Sequence, residues 1–219
     1  MVNKIKLIIF DYDGVIVDSF PTIHKAYQSV CKKLGKRCPS KFSDFRKIYG
    51  MSLKDLYNNL GFLTEEERKK VRELSDEEIL KQEPKFFHKI DEVIKVLGKE
   101  YKLILVSFNS QKEIERKLGT LGVKEHFDKV IGSNPSEFIK KSDMLKKLIS
   151  DSRLNPEEII LIGDRINDYY DAKEAGINNI LLVDYGWGYD LKKIPEHKQN
   201  VVIKAPWDII KAVESFNKG

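Results

Sequence analysis

Cysteine is nearly absent: only Cys31 and Cys38 occur in the 219 residues. They lie seven apart with no paired histidines nearby, which does not match the spacings of a zinc site, and a chain of this length needs no disulfide to hold its core. A reducing cytosol is the plain expectation. Histidine is scarce too, and His24, His88, His126 and His197 have no mutual spacing that suggests a metal centre; they read as structural or surface residues. Long hydrophobic runs are missing. The apolar stretch nearest the N-terminus, IKLIIF, is cut off by Asp11 after six residues, too short for a signal segment or a membrane span. Charge of one sign is not gathered into an arm or stripe either. The 39 basic and 34 acidic residues, formal net +5, are interleaved, and Lys pairs such as those in KKSDMLKK read as solvated helix faces rather than contacts to a nucleic-acid backbone. No internal repeat or low-complexity tract is evident. These absences leave a soluble cytoplasmic protein, a monomer or homodimer, with neither nucleic acid nor membrane as partner.

What is present points to a packed α/β chain. At 41% hydrophobic residues it buries a core, and its length suits one domain with a smaller insertion. Apolar runs recur at KIKLIIF (4–10), YKLILVSF (101–108), DKVIGS (128–133), EIILIGD (158–164) and NNILLVDYG (178–186). Near-continuous apolarity, without strict alternation, is what strands of a parallel sheet covered on both faces require; the shorter DKVIGS is expected nearer an edge. Helical patterns sit between them. Ser110 and Glu113 form a capping-box signature before Ile114, Leu118 and Leu121, Ser142 is a candidate N-cap before Met144, Leu145, Leu148 and Ile149, and Pro206 suits the first turn of a last helix, PWDIIKAVESF. Tyr169 and Tyr170 read as packing on the core. Alternating strand and helix predicts a doubly wound, Rossmann-like parallel sheet. Residues 20–84 break the rhythm, with helical patterns only and a second capping box at Thr64 and Glu67. The expected organisation is therefore a core of 1–19 and 85–219 with an all-helical domain, 20–84, inserted after the first strand.

In doubly wound sheets, ligands collect beyond the carboxyl ends of the strands. The first strand delivers Asp11 and Asp13 in DYDGVIVDS, the second Ser107 and Asn109, and the fourth Asp164 and then Asp168 in GDRIND; Lys140 and Lys141 stand before the helix that leads into the fourth strand. Converging carboxylates repel, and a hard divalent cation with oxygen ligands holds them ionised, with magnesium the natural choice. A carboxylate can attack phosphorus to give an aspartyl phosphate, splitting one hard displacement into two easier ones. Ser107 and a lysine would then hold the phosphoryl oxygens.

Taken in order, DYDGVIVDS, the strand-end Ser107, the lysine before the helix and GDRIND resemble the four signature motifs of the haloacid dehalogenase superfamily of phosphotransferases. The likeness spans roughly residues 4–186. A helical insert directly after the first motif is similar to the cap of the phosphoglycolate phosphatase and beta-phosphoglucomutase branch. The resemblance implies Asp11 as nucleophile and Asp13 as general acid/base. It implies a magnesium site built from Asp11, the backbone carbonyl of Asp13 and Asp164, with Asp168 in support. Many relatives carry Lys-Pro where IKKSDML has two lysines; spacing to Leu145 favours Lys141, with Lys140 second. Gly14 would leave room for the chain to turn beside the phosphate.

The leading expectation is a magnesium-dependent phosphatase of a small phosphorylated metabolite. A phosphomutase would share the core residues and differ in the insert. A hydrolytic dehalogenase fits poorly, because Asp13 and the acids after the fourth strand serve a metal-dependent phosphoryl reaction. The complete acid set also argues against a non-catalytic binding protein. Taken singly, a DxD pair is a solvated turn more often than a site, Ser107 a strand-end hydroxyl and Lys141 a surface lysine; their joint placement gives them weight.

Overall fold

The computed structural model describes residues 4–49, 52–82, 85–133, 140–186 and 202–217; His197 lies outside them. The five apolar runs become strands β1 (Leu7–Phe10), β2 (Lys102–Ser110), β3 (Lys129–Ser133), β4 (Ile159–Gly163) and β5 (Asn179–Val183). A sixth, β6 (Val202–Ile203), extends the sheet beside β5, and its two residues are too short a run to signal a strand in the sequence. The order is β3-β2-β1-β4-β5-β6 and every pairing is parallel. Strands β1 and β4, at the centre, are buried at every residue, whereas β3 occupies an edge and is only partly covered.

Five helices cover this sheet: α5 (Ile90–Leu97), α6 (Gln111–Leu121), α7 (Lys141–Ser152), α8 (Ile166–Glu174) and α9 (Asp208–Phe216). The two-residue period of a strand divides its side chains between two cores. Ile8 and Phe10 join Ile94 of α5, Leu118 of α6 and Val213 of α9 on one face. Leu7 and Ile9 join Leu145 of α7 and Ala172 of α8 on the other. The chain is thus a doubly wound α/β fold of Rossmann type.

Local signals held in part. Ser110 caps α6, its Oγ accepting the Glu113 N–H at 3.3 Å. The start of α7 differs from the expectation: Lys140 is the N-cap and Ser142 lies buried inside the first turn. A hydroxyl cap contributes about 1 kcal/mol, and the two buried ion pairs that Lys141 makes from the first helical position outweigh it. Pro206 precedes the N-cap Trp207 of α9 and does not enter the helix. Of the two tyrosines on α8, Tyr169 is buried, but Tyr170 is 55% exposed, because consecutive helical residues point about 100° apart.

Contacts divide the chain into two units, Met1–Asp18, Pro84–Ser133 and Ile139–Gly219 forming the first and Ser19–Glu83 most of the second. The second is all-helical among the described residues: α1 (Phe20–Lys33), α2 (Phe42–Tyr49), α3 (Leu53–Asn59) and α4 (Glu65–Leu80). Its core is aromatic. His24 stacks on Phe45 with ring centroids 4.6 Å apart, and Phe20, Tyr27 and Tyr49 pack around the same ring. The Thr64 and Glu67 capping box opens α4 as its sequence predicts.

Candidate active site

The chain passes from β1 to β2 and β3 on one side of the sheet, then returns to β4 and β5 on the other. The switch point is therefore the gap beyond the carboxyl ends of β1 and β4, where a doubly wound sheet opens a crevice. Asp11 stands there, directly after β1, and its N–H still donates to the Ile162 carbonyl of β4 at 2.8 Å. The next residues turn sharply, with Gly14 N–H bonded to Val17 O at 2.9 Å and Gly14 at φ +79°. A Cβ at Gly14 would lie 2.0 Å from Asp164 Oδ2, so the turn can press against that carboxylate only as glycine.

Asp164 follows β4 and is fully buried; Asp168, in the first turn of α8, is 1% exposed. Asp168 Oδ2 accepts the N–H groups of Asp164 and Arg165 at 3.1 and 3.0 Å, which ties the β4 end to the helix start. From α7, on the same face of the sheet as α8, the Lys141 ammonium reaches Asp11 Oδ1 at 2.9 Å and Asp168 Oδ1 at 2.6 Å. Asp11 Oδ1 also accepts the Tyr12 N–H at 2.8 Å. The second oxygen, Asp11 Oδ2, is buried with no hydrogen-bond partner among the described residues. Carboxylate oxygens of Asp11, Asp164 and Asp168 lie within 4.8 Å of one another.

The structure places Asp13 beside β2, where its Oδ2 accepts from Asn109 Nδ2 at 2.5 Å, and the Asn109 N–H donates to Ser107 Oγ at 3.1 Å. Six of the eight residues singled out in the sequence are buried around this crevice, with Asn109 half-buried at its side. Lys140 is not among them, being exposed at the N-cap of α7. The pair that read as a solvated helix face thus splits, Lys141 inward and Lys140 outward. None of the three described histidines belongs to the acid cluster: His24 is in the aromatic core of the helical unit, His88 is exposed and His126 lies next to Glu125.

Electrostatics set the groups against one another. Burial, reinforced by Asp168, pushes the Asp11 carboxyl up to about 6, while Lys141 and Arg165 pull it down. Burial also acts to raise Asp168, but Lys141, Arg165 and the backbone donors outweigh it and hold that carboxyl below its ordinary value. Lys141 is desolvated yet lies above the usual lysine range, because Asp11 and Asp168 flank it.

Three participants were not legible as site residues. Arg165 places Nε 3.8 Å from Asp164 Oδ1. Tyr185, after β5, donates its hydroxyl to Val15 O at 3.0 Å. A Cβ at the next residue, Gly186, would lie 2.0 Å from Gly14 O and 2.9 Å from Asp164 Cβ. The one available signal was the glycine closing NNILLVDYG, which marks a close backbone approach without saying to what.

A family model described as haloacid dehalogenase-like hydrolase matches residues 8–182. The chain is similar to a phosphorylated carbohydrates phosphatase of Thermotoga maritima, 28% identical with 79% of this chain and 82% of that protein covered. It is also similar to a phosphoglycolate phosphatase of Vibrio vulnificus, at 26% identity over 85% of this chain and 87% of that one. Among solved structures, a haloacid dehalogenase-like hydrolase of Streptococcus pneumoniae superposes with a TM-score of 0.78 at 25% identity, covering 94% and 97% of the two chains.

Proposed function

The chain belongs to the haloacid dehalogenase-like hydrolase family and is a hydrolase of phosphoric monoesters, and on that premise we propose that it dephosphorylates a small phosphorylated metabolite through an aspartyl phosphate on Asp11. One observation carries this reading: a buried carboxylate with one oxygen fixed by Lys141 and Tyr12 N–H and the other, Oδ2, not engaged, set among further acids. A purely structural aspartate would have both oxygens satisfied.

The donor set fits a hard cation. Three buried carboxylates with oxygens within 4.8 Å of one another are an oxygen-only cluster of the type magnesium prefers. Asp11 and Asp164 would hold it, with Asp168 in support and the Asp13 carbonyl as the family pattern implies. Bound there, magnesium offsets the repulsion between an anionic nucleophile and an anionic phosphoryl group.

The chain's own groups supply the remaining steps. An Asp11 carboxylate oxygen attacks phosphorus, and the ester oxygen leaves with a proton from Asp13. Asp13, now a carboxylate, takes a proton from water, which attacks phosphorus; the bond from Asp11 to phosphorus breaks and inorganic phosphate departs. Asn109 orients Asp13 through the Nδ2 contact. Ser107 and Lys141 hold phosphoryl oxygens, Lys141 being the buried one of the two candidate lysines. We assign 1–19 and 85–219 to the catalytic core and 20–84 to a cap that sets specificity. Among the described residues no helix is long and apolar enough to cross a membrane.

The test is phosphate release from a panel of sugar, carboxylate and nucleotide phosphates, with and without magnesium. Wild type should release phosphate only with the metal, and Asp11→Asn should lose at least a thousandfold. Hydrolysis at the wild-type rate by that variant would reject Asp11 as nucleophile, and isomer formation without phosphate release would point to a mutase.

A further inference from the structure

Away from the acid cluster, the helical unit brings its two cysteines together. Helix α1 (Phe20–Lys33) carries His24, Gln28 and Cys31 at positions i, i+4 and i+7, which share one face. The segment after the helix folds back over that face. Lys36 N–H donates to Cys31 O at 2.8 Å, Gln28 Nε2 reaches Ser40 O at 3.5 Å, and His24 Nε2 bonds to Pro39 O at 2.7 Å. Cys38 lies in the middle of this returning segment. The Cys38 thiol pulls the Cys31 thiol below its usual range and is itself pushed up by it; neither is in a disulfide, and Cys31 is buried while Cys38 is half-buried.

We propose that Cys31 and Cys38 are a reversible thiol modification site, joined by an intramolecular disulfide when the protein meets a peroxide. The fold-back fixes both residues before any oxidant arrives, so no rearrangement of α1 is needed to bring the sulfurs together. A spacing of seven residues does not announce such a pair; the hydrogen bonds of His24, Gln28 and Lys36 create it. The hydrogen bond from Cys38 favours the thiolate of Cys31, against the opposing effect of burial. Oxygen transfer from hydrogen peroxide to the Cys31 sulfur breaks the O–O bond, and the hydroxide released leaves with the Cys31 proton as one water. Cys38 then displaces the hydroxyl from the Cys31 sulfenic acid, and its own proton departs with that hydroxyl as a second water. The two sulfurs together lose two electrons, and the peroxide gains them.

The experiment uses the whole protein, treated with hydrogen peroxide, denatured, labelled with N-ethylmaleimide and weighed intact. Reduced protein should take two labels. Oxidised protein should take none, weigh two hydrogens less, show no disulfide-linked dimer, and regain both labels after dithiothreitol. In Cys38→Ser the Cys31 sulfenic acid has no resolving thiol, so mild peroxide should add one oxygen at Cys31, cost it its label until dithiothreitol restores it, and form no cross-link within the chain. Persistent double labelling would overturn the proposal, as would loss of label through a dimer linked by Cys38, or oxygen addition at Cys38 with Cys31 still labelled. The thermal unfolding midpoint gives an independent reading: it should rise on oxidation and fall back on reduction. A drop on oxidation would mean that the link strains the fold, against the claim that the thiols already lie in bonding position.

Discussion

At Asp11, burial and the Asp168 charge raise proton affinity while Lys141 and Arg165 lower it, and the balance falls at about 6. A carboxyl raised in the folded state stabilises the fold while it holds its proton. That contribution is complete below the unfolded value of 3.8 and disappears as pH rises through about 6. In this window the native state binds more protons than the unfolded chain, so metal-free stability should fall with rising pH. A shift from 3.8 to about 6 corresponds to about 3 kcal/mol. Asp168 has the opposite sign: its lowered value contributes stability above the ordinary carboxyl range and loses it in more acidic solution. Asp11→Asn, uncharged and of the same shape, should therefore unfold several degrees above wild type at pH 7 without metal and close to it at pH 4. Parallel melting temperatures across that range would show that Asp11 is not the group taking up the proton. The acids themselves were legible because each follows an apolar run, and a strand end is visible in sequence. Choosing between Lys140 and Lys141 required the helix start, which a shift of one residue rotates by about 100°. Tyr185 and Gly186 were invisible as partners of Val15 and Gly14, because a contact between residues some 170 positions apart leaves no local pattern.

Elements were legible where their ends carry their own chemistry. Helix α4 is the clearest case. Thr64 Oγ1 accepts the Glu67 N–H at 3.1 Å, and Glu67 Oε2 accepts the N–H groups of Leu63 and Thr64 at 2.8 and 3.1 Å, all within four residues. Such a start depends on nothing distant, so T-x-x-E suffices to predict it. Thr64→Ala should cost about 1 kcal/mol, seen as a lower unfolding midpoint of the helical unit, and Thr64→Ser should recover most of it. An unchanged midpoint in the alanine variant would mean that aromatic packing alone fixes the helix end. Helix α7 behaves in the opposite way. Its apparent cap, Ser142, is overruled by ion pairs of Lys141 with residues on β1's end and on α8, partners that lie outside any local window. Strand β6 was missed for a related reason, since two residues become a strand only because β5 offers them an edge.

For the molecule as a whole, apolar runs alternating with helical patterns were enough to predict the doubly wound sheet, because a strand buried on both faces has to be apolar throughout. The same architecture gathers like charge: the strand ends and the start of α8 deliver Asp11, Asp164 and Asp168 to one switch point, where the folded protein bears their repulsion and the unfolded chain does not. A cation that fits this cluster binds the native state alone, and mass action converts that preference into stability, about 2.7 kcal/mol at a hundredfold excess over Kd. Magnesium should accordingly raise the unfolding midpoint of the sheet-containing unit and slow hydrogen exchange around residues 7–18, 102–110 and 159–168. Residues 20–82, which contribute none of the clustered carboxylates, should gain little protection. Asp164→Ala should abolish both effects while Thr64→Ala leaves them intact. A full magnesium shift in Asp164→Ala would remove Asp164 from the ligand set, and equal protection of both units would mean that the ion acts through general charge screening, with no role for the Asp11, Asp164 and Asp168 cluster.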